Sequence, residues 1–194
     1  MINPTFYCSL LDWYEKNGRH DLPWRKYDED IKLRSYHVYL AEILLQQTQA
    51  SRVCEYYIRI LTDFPKIEDL SNIEWEDFYP YYDGLGYYRR GKNILLTAKK
   101  VCSDFDSIFP NDYIQLISLP WVGTYTARAI QSFAYDESVL AWDTNVEKIM
   151  RRILNGSQYI PLGPWIREQI EEKFTQMGFS GRAINNALMD YGSS

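Results

Sequence analysis

The chain has 194 residues, 46% of them hydrophobic and 24% charged, and a formal net charge of −5. That length supports one compact domain or two small lobes whose core needs no disulfide or metal to hold it, and the acidic balance weighs against a partner gripped through phosphates unless the cations are locally clustered. No run approaches the ~20 apolar residues of a membrane span, and the N-terminus has neither a basic flank nor a small-residue cleavage site, which argues against a membrane or exported protein and for a cytoplasmic one.

In chain order, the apolar periodicity is helical almost throughout. After the polar stretch WRKYDEDIKLRS (24–35), positions Val38, Leu40, Ile43, Leu44, Leu45, Val53, Tyr57, Ile60 and Leu61 mostly follow three-and-four spacing, predicting two helices or one bent helix. SNIE (71–74) fits a capping box, in which a hydroxyl and a carboxylate satisfy orphan backbone donors reciprocally. YYRRGKN (87–93) gathers cations. DYIQLISL, PWVG and TYTARAIQSF (112–133) then predict a helix, a tight turn and a second helix. SVLAW (138–142) is strand-like but too isolated to build a sheet. TNVE (144–147) fits a second capping box and runs into a second cationic cluster, EKIMRR (147–152). NGSQYIPLGP (155–164) reads as a polar connection. Pro164 suits the first turn of the helix that follows, and Gly192 suits the end of RAINNALMDY (182–191). The expected fold class is all-α, with roughly nine to eleven helices at the usual length of about 11 residues. Cys8, Cys54 and Cys102 match no metal-ligand spacing and leave a thiol over if any two were bridged; they read as reduced core or half-buried thiols.

The 112–133 hairpin has two readings. It can be a plain connection between antiparallel core helices. Alternatively, the second helix begins at the turn, its free N–H groups and positive dipole end accept a phosphate, and Gly123 lets backbone approach that phosphate without a Cβ.

Four further segments occur in order around the hairpin: DLPWR (21–25), YHVYLAEILLQQTQA (36–50), GLGYYRRGKN (84–93) and AWDTNVEKIMRRIL (141–154). Together they resemble the helix-hairpin-helix DNA glycosylases, and LLQQTQ with GLGYYRR resembles the adenine-specific, MutY-type branch. The resemblance runs from about residue 10 to 192. It implies two helical lobes with a DNA-binding cleft: a six-helix barrel over 28–135 that contains the hairpin, and a second lobe made of 1–27 plus 136–194. It also implies a base-excision-repair enzyme, a monomer acting on double-stranded DNA, that hydrolyses the N-glycosidic bond of adenine mispaired with 8-oxoguanine or guanine. The alternatives are a thymine or uracil glycosylase acting opposite guanine, and a catalytically inactive DNA-binding module.

Breaking that bond needs an acid for the leaving base and an anion for the sugar cation. Glu42, flanked by apolar residues, is placed where desolvation would raise its pKa, and by resemblance it aligns with the glutamate that protonates adenine; a solvent-facing helical glutamate is the other reading. Asp143, just before the Thr144 box, is expected to be held ionised by the helix start; it can be a plain N-cap residue and, compatibly, resembles the superfamily's catalytic aspartate, with Asn145 matching a polar neighbour. Where combined glycosylase-lyases carry a lysine, this chain has Tyr125, which implies a monofunctional enzyme. By the same resemblance Gln46, Gln47 and Tyr87 are wedges that offset the cost of flipping the base, although core packing is also open to Tyr87. Arg89, Arg90 and Lys92 would meet phosphates. Trp121, Val122, Gly123, Thr124 and Thr126 would line the DNA at the hairpin.

Two departures from the family pattern stand out. Trp121 occupies a position that is usually glycine, and following Pro120 in a type II turn it would need a positive φ. The family's four cluster cysteines would follow LMD-G, where this sequence reads LMDYGSS, and the 194 residues contain no counterpart of the separate domain that reads 8-oxoguanine; the expectation is therefore no iron–sulfur cluster and no other metal or cofactor.

Overall fold

The computed structural model describes residues 4–156 and 161–194. Part of the connection expected at 155–164 therefore lies outside the described residues. The helices are α1 (Pro4–Asn17), α2 (Ile31–Leu45), α3 (Ala50–Asp63), α4 (Ile67–Ser71), α5 (Trp75–Tyr82), α6 (Tyr88–Asp104), α7 (Tyr113–Ile117), α8 (Thr124–Ala129), α9 (Thr144–Asn155), α10 (Pro164–Met177) and α11 (Gly181–Ser193). A 3₁₀ turn covers Pro23–Arg25, and a π-helical turn, Ile130–Ala134, follows α8 directly. No strand occurs among the described residues, and none of their helices is long and apolar enough to cross a membrane.

The chain divides into two compact units, Asp21–Ile130 and Met1–His20 with Gln131–Ser194. Both divisions fall a few residues earlier than the sequence suggests. In the first unit α2 is the central helix. Its residues Tyr36, Val38, Tyr39, Leu40, Ala41, Ile43 and Leu44 are buried on every side, as expected of a helix without a polar face. Each such aliphatic side chain contributes about 1.5–3 kcal/mol by leaving water. Asp30 caps its start by accepting from the Lys32 N–H at 2.8 Å. The helix stops at Leu45, so 35–64 forms two helices, and the polar stretch 24–35 includes the first turn of α2.

In the second unit Tyr7, Leu10, Leu140, Val146, Met150, Phe174, Ile184 and Leu188 share one core. The strand-like run 138–142 forms no strand: Ser138 is a bend, and the rest is irregular. The buried Asn185 amide of α11 stands in for a partner strand, accepting from the Ala141 N–H (2.9 Å) and donating to the Val139 carbonyl (2.8 Å).

Four local expectations change. Ser71 ends α4, its hydroxyl donating to the Glu68 carbonyl at 2.8 Å, so SNIE is not a capping box. The cap of α9 is Asp143, as its N-cap reading has it, and not the Thr144 of the expected capping box. Gly192 lies inside α11. Of the three thiols Cys54 and Cys102 are half-buried as expected, but Cys8 is exposed.

Candidate active site

In the first unit, Glu42 sits in the middle of α2 with 7% of its surface exposed. This burial sets it apart from the solvent-facing helical glutamates, and a carboxyl group so placed is a functional candidate. One turn on, α2 gives way to an irregular loop. Gln46 turns out of the helix, and Gln47 is exposed with φ +55°.

Arg90 holds that loop from below. It was expected to meet phosphate, but it is 2% exposed and cannot. Its guanidinium instead donates to the Tyr82 hydroxyl, to the carbonyls of Leu44 (3.4 Å) and Gln46, and to the Thr48 hydroxyl (3.3 Å). A helix leaves its last carbonyls without partners, and a buried five-donor fork satisfies them. Arg89 and Lys92 are exposed, with the Lys92 ammonium 5.6 Å from the Trp75 ring centroid. Tyr87 is 63% exposed at φ +50°, so it is not a core tyrosine.

The hairpin is formed by α7 and α8. Between them Val122 donates its N–H to the Leu119 carbonyl at 3.2 Å around Pro120 and Trp121, and Trp121 has φ +61°. These are the features of a type II turn with a bulky residue where glycine is favoured, at a cost of about 1 kcal/mol. Thr97 of α6 fixes the turn by donating to the Pro120 carbonyl at 2.8 Å. Gly123 precedes α8 at φ −91°, and a Cβ there would meet nothing within 4 Å. Thr124 is exposed, its hydroxyl 3.2 Å from that of Tyr113. The side chains of Val122 (5% exposed) and Thr126 (2%) are buried, and the Val122 N–H is already used in the turn, so neither lines a DNA surface as expected. Tyr125 is half-buried on the first turn of α8.

The Trp121 indole N–H donates to Gln46 Oε1 at 2.9 Å, and Gln46 Nε2 lies 3.5 Å from Thr126 Oγ1. Trp121 and Thr126 thus meet the side-chain amide of Gln46, and Arg90 holds its backbone carbonyl. Neither the Trp121 bond nor the Arg90 fork was anticipated from sequence.

In the second unit, Asp143 caps α9. Its Oδ1 accepts from the N–H groups of Asn145 (2.9 Å) and Val146 (2.7 Å), and Oδ2 accepts from the Asn145 side-chain amide (3.1 Å). Burial raises the Asp143 pKa, and these hydrogen bonds pull it back only in part. The helix start was expected to favour the ionised form, and in the net direction of the shift desolvation is the larger of the two effects. Gly192 of α11 backs the same site: a Cβ there would stand 2.6 Å from the Asn145 Cβ. Among the described residues no group of three or more His, Cys, Asp or Glu side chains could hold a metal ion.

A hairpin of two short helices joined by a tight turn, in a chain whose described residues form helices and no strands, defines a helix-hairpin-helix protein. Residues 40–176 match the HhH-GPD superfamily base excision DNA repair protein family, and the chain belongs to it. An adenine DNA glycosylase of Buchnera aphidicola subsp. Baizongia pistaciae is 35% identical over 196 residues, covering 100% of this chain and 53% of that protein. The adenine DNA glycosylase of Mus musculus is 38% identical over 153 residues, covering 77% and 30%. The chain thus spans about half the length of the bacterial relatives it matches. Among solved structures, a thermostable thymine-DNA glycosylase aligns with a TM-score of 0.81 at 23% identity, over 97% of this chain and 85% of that one. Endonuclease III trapped as a covalent intermediate with DNA aligns at 0.71 and 18% identity, over 98% and 86%. At these identities the structures speak for the fold alone.

Proposed function

We propose that the chain is a monofunctional adenine DNA glycosylase, which hydrolyses the N-glycosidic bond of adenine mispaired with guanine or 8-oxoguanine in double-stranded DNA. The observation that carries this reading is the burial of Glu42, at 7% exposure, in a chain 34 to 38% identical to proteins named adenine DNA glycosylase.

In this reading Glu42, as the neutral acid, gives its proton to a ring nitrogen of the flipped adenine. The base leaves with the bonding pair, and the sugar becomes oxocarbenium-like. Asp143, ionised, supplies the anion that stabilises this cation, held in one orientation by Asn145 and the start of α9. Water adds to the anomeric carbon and returns a proton to Glu42, which balances the cycle. Tyr125 has no amine with which to form a Schiff base, so no strand is cut. Tyr87 and Gln47, both exposed at positive φ, would fill the gap left by the flipped base, and Arg89, Lys92, Gly123 and Thr124 would meet the backbone. The same reading has the chain act as a monomer inside the cell, without metal or cofactor.

The test is single-turnover base release from duplexes with adenine opposite 8-oxoguanine, adenine opposite guanine and thymine opposite guanine, for the wild type and Glu42→Gln. Adenine release from the first two, reduced by about 10²-fold or more in the variant, is the expected result. Release of thymine instead would make the chain a pyrimidine glycosylase, and no release from any duplex would make it a binding module.

A further inference from the structure

The Gln46 amide is held at both ends by the hairpin, with Trp121 Nε1 2.9 Å from its oxygen and Thr126 Oγ1 3.5 Å from its nitrogen. Its backbone carbonyl is fixed separately by Arg90. An amide can be turned over with almost no change of shape, which exchanges donor for acceptor. An indole N–H is a donor and has no lone pair to offer, so only the amide oxygen satisfies it. The nitrogen is thereby directed to Thr126. One lone pair of Oε1 and one N–H of Nε2 remain, in a fixed order. Trp121 is 47% exposed at φ +61°, so about half of its surface stays open beside the Gln46 amide.

We propose that Trp121 is a specificity-determining positioning residue: by fixing which end of the Gln46 amide is offered to the duplex, it sets the preference for the base opposite adenine. This rests on the glycosylase reading above. Trp121→Phe keeps an aromatic ring and removes the donor. Gln46→Met removes the amide and approaches the same contact from the other side.

The measurement is the ratio of single-turnover adenine release opposite guanine to that opposite cytosine, in the wild type, each variant and the double variant. Trp121→Phe should compress the ratio about five-fold, the worth of one neutral hydrogen bond. Gln46→Met should compress it at least as far, and adding Trp121→Phe to Gln46→Met should change nothing more. A merely weakened fold would slow both duplexes alike, so an unaltered ratio in Trp121→Phe overturns the proposal, as do effects that multiply in the double variant. If the wild type releases adenine and the ratio stands, only this proposal falls. If the wild type releases none, the glycosylase reading falls and takes it along.

Discussion

Asn145 engages both oxygens of Asp143, its backbone N–H reaching Oδ1 at 2.9 Å and its side-chain amide reaching Oδ2 at 3.1 Å. The carboxylate is therefore fixed in rotation as well as in place. Burial nonetheless lifts its pKa above that of the unfolded chain. Folding then favours the protonated form: the stabilisation is complete below the unfolded pKa and is lost as pH rises through the folded one. Asp143→Asn should accordingly gain stability relative to the wild type at neutral pH and lose that advantage in acid. Base release should fall by about 10²-fold or more, because the neutral amide cannot stabilise the sugar cation. Urea midpoints between about pH 3 and 7, beside single-turnover rates, check both halves. Greater stability of the wild type at neutral pH would contradict the assignment of the shift to burial.

Arg90 and Arg89 are neighbours in sequence with opposite expected behaviour. Arg90→Met leaves the Tyr82 hydroxyl and the Leu44 and Gln46 carbonyls without their buried partner, at an expected cost of about 2–4 kcal/mol in chemical denaturation. Arg89→Met should leave stability within about 0.5 kcal/mol, but reduce the slope of log affinity against log salt for duplex DNA by about one. A reduced salt slope in Arg90→Met, with stability intact, would restore Arg90 to the phosphate-binding role.

Gly123 and Gly192 separate two uses of a missing side chain. At Gly192 an added Cβ would lie 2.6 Å from the Asn145 Cβ and 3.0 Å from its Cα, so Gly192→Ala has to move α11 against α9. The expected cost is about 1–3 kcal/mol, with a slower reaction because the displacement passes through Asn145 to Asp143. At Gly123 the same atom meets open space at φ −91°. Gly123→Ala should keep or slightly raise the melting temperature and weaken duplex binding, as measured by fluorescence anisotropy. Unchanged binding in that variant would remove the hairpin from the DNA contact surface.

Much of this was legible in the chain, and the failures have physical causes. The apolar runs gave away α2 and α3, and Pro120 before Trp121 announced the positive φ. Asp143 and Thr144 are both able to cap a helix, and side-chain chemistry alone does not break the tie. Arg90 was misread because a cationic cluster records charge and not phase. Position 90 shares a face with Ile94, Thr97 and Val101, all buried, while Arg89 and Lys92 point away, so helical spacing carried the signal that composition hid. The Trp121–Gln46 bond spans 75 positions, and no local pattern announces a pairing across that distance.

Glu42 precedes Gln46 by four residues, a little over one turn of α2 and about 6 Å along its axis. On the glycosylase reading proposed above, the residue that selects the opposing base caps the helix that carries the acid. A substitution that loosened Gln46 to broaden the substrate range would also shift the proton donor, so such variants should lose speed as they gain breadth. On the same reading, Trp121, which lies outside α2, is a position from which the amide can be retuned while Glu42 stays where it stands.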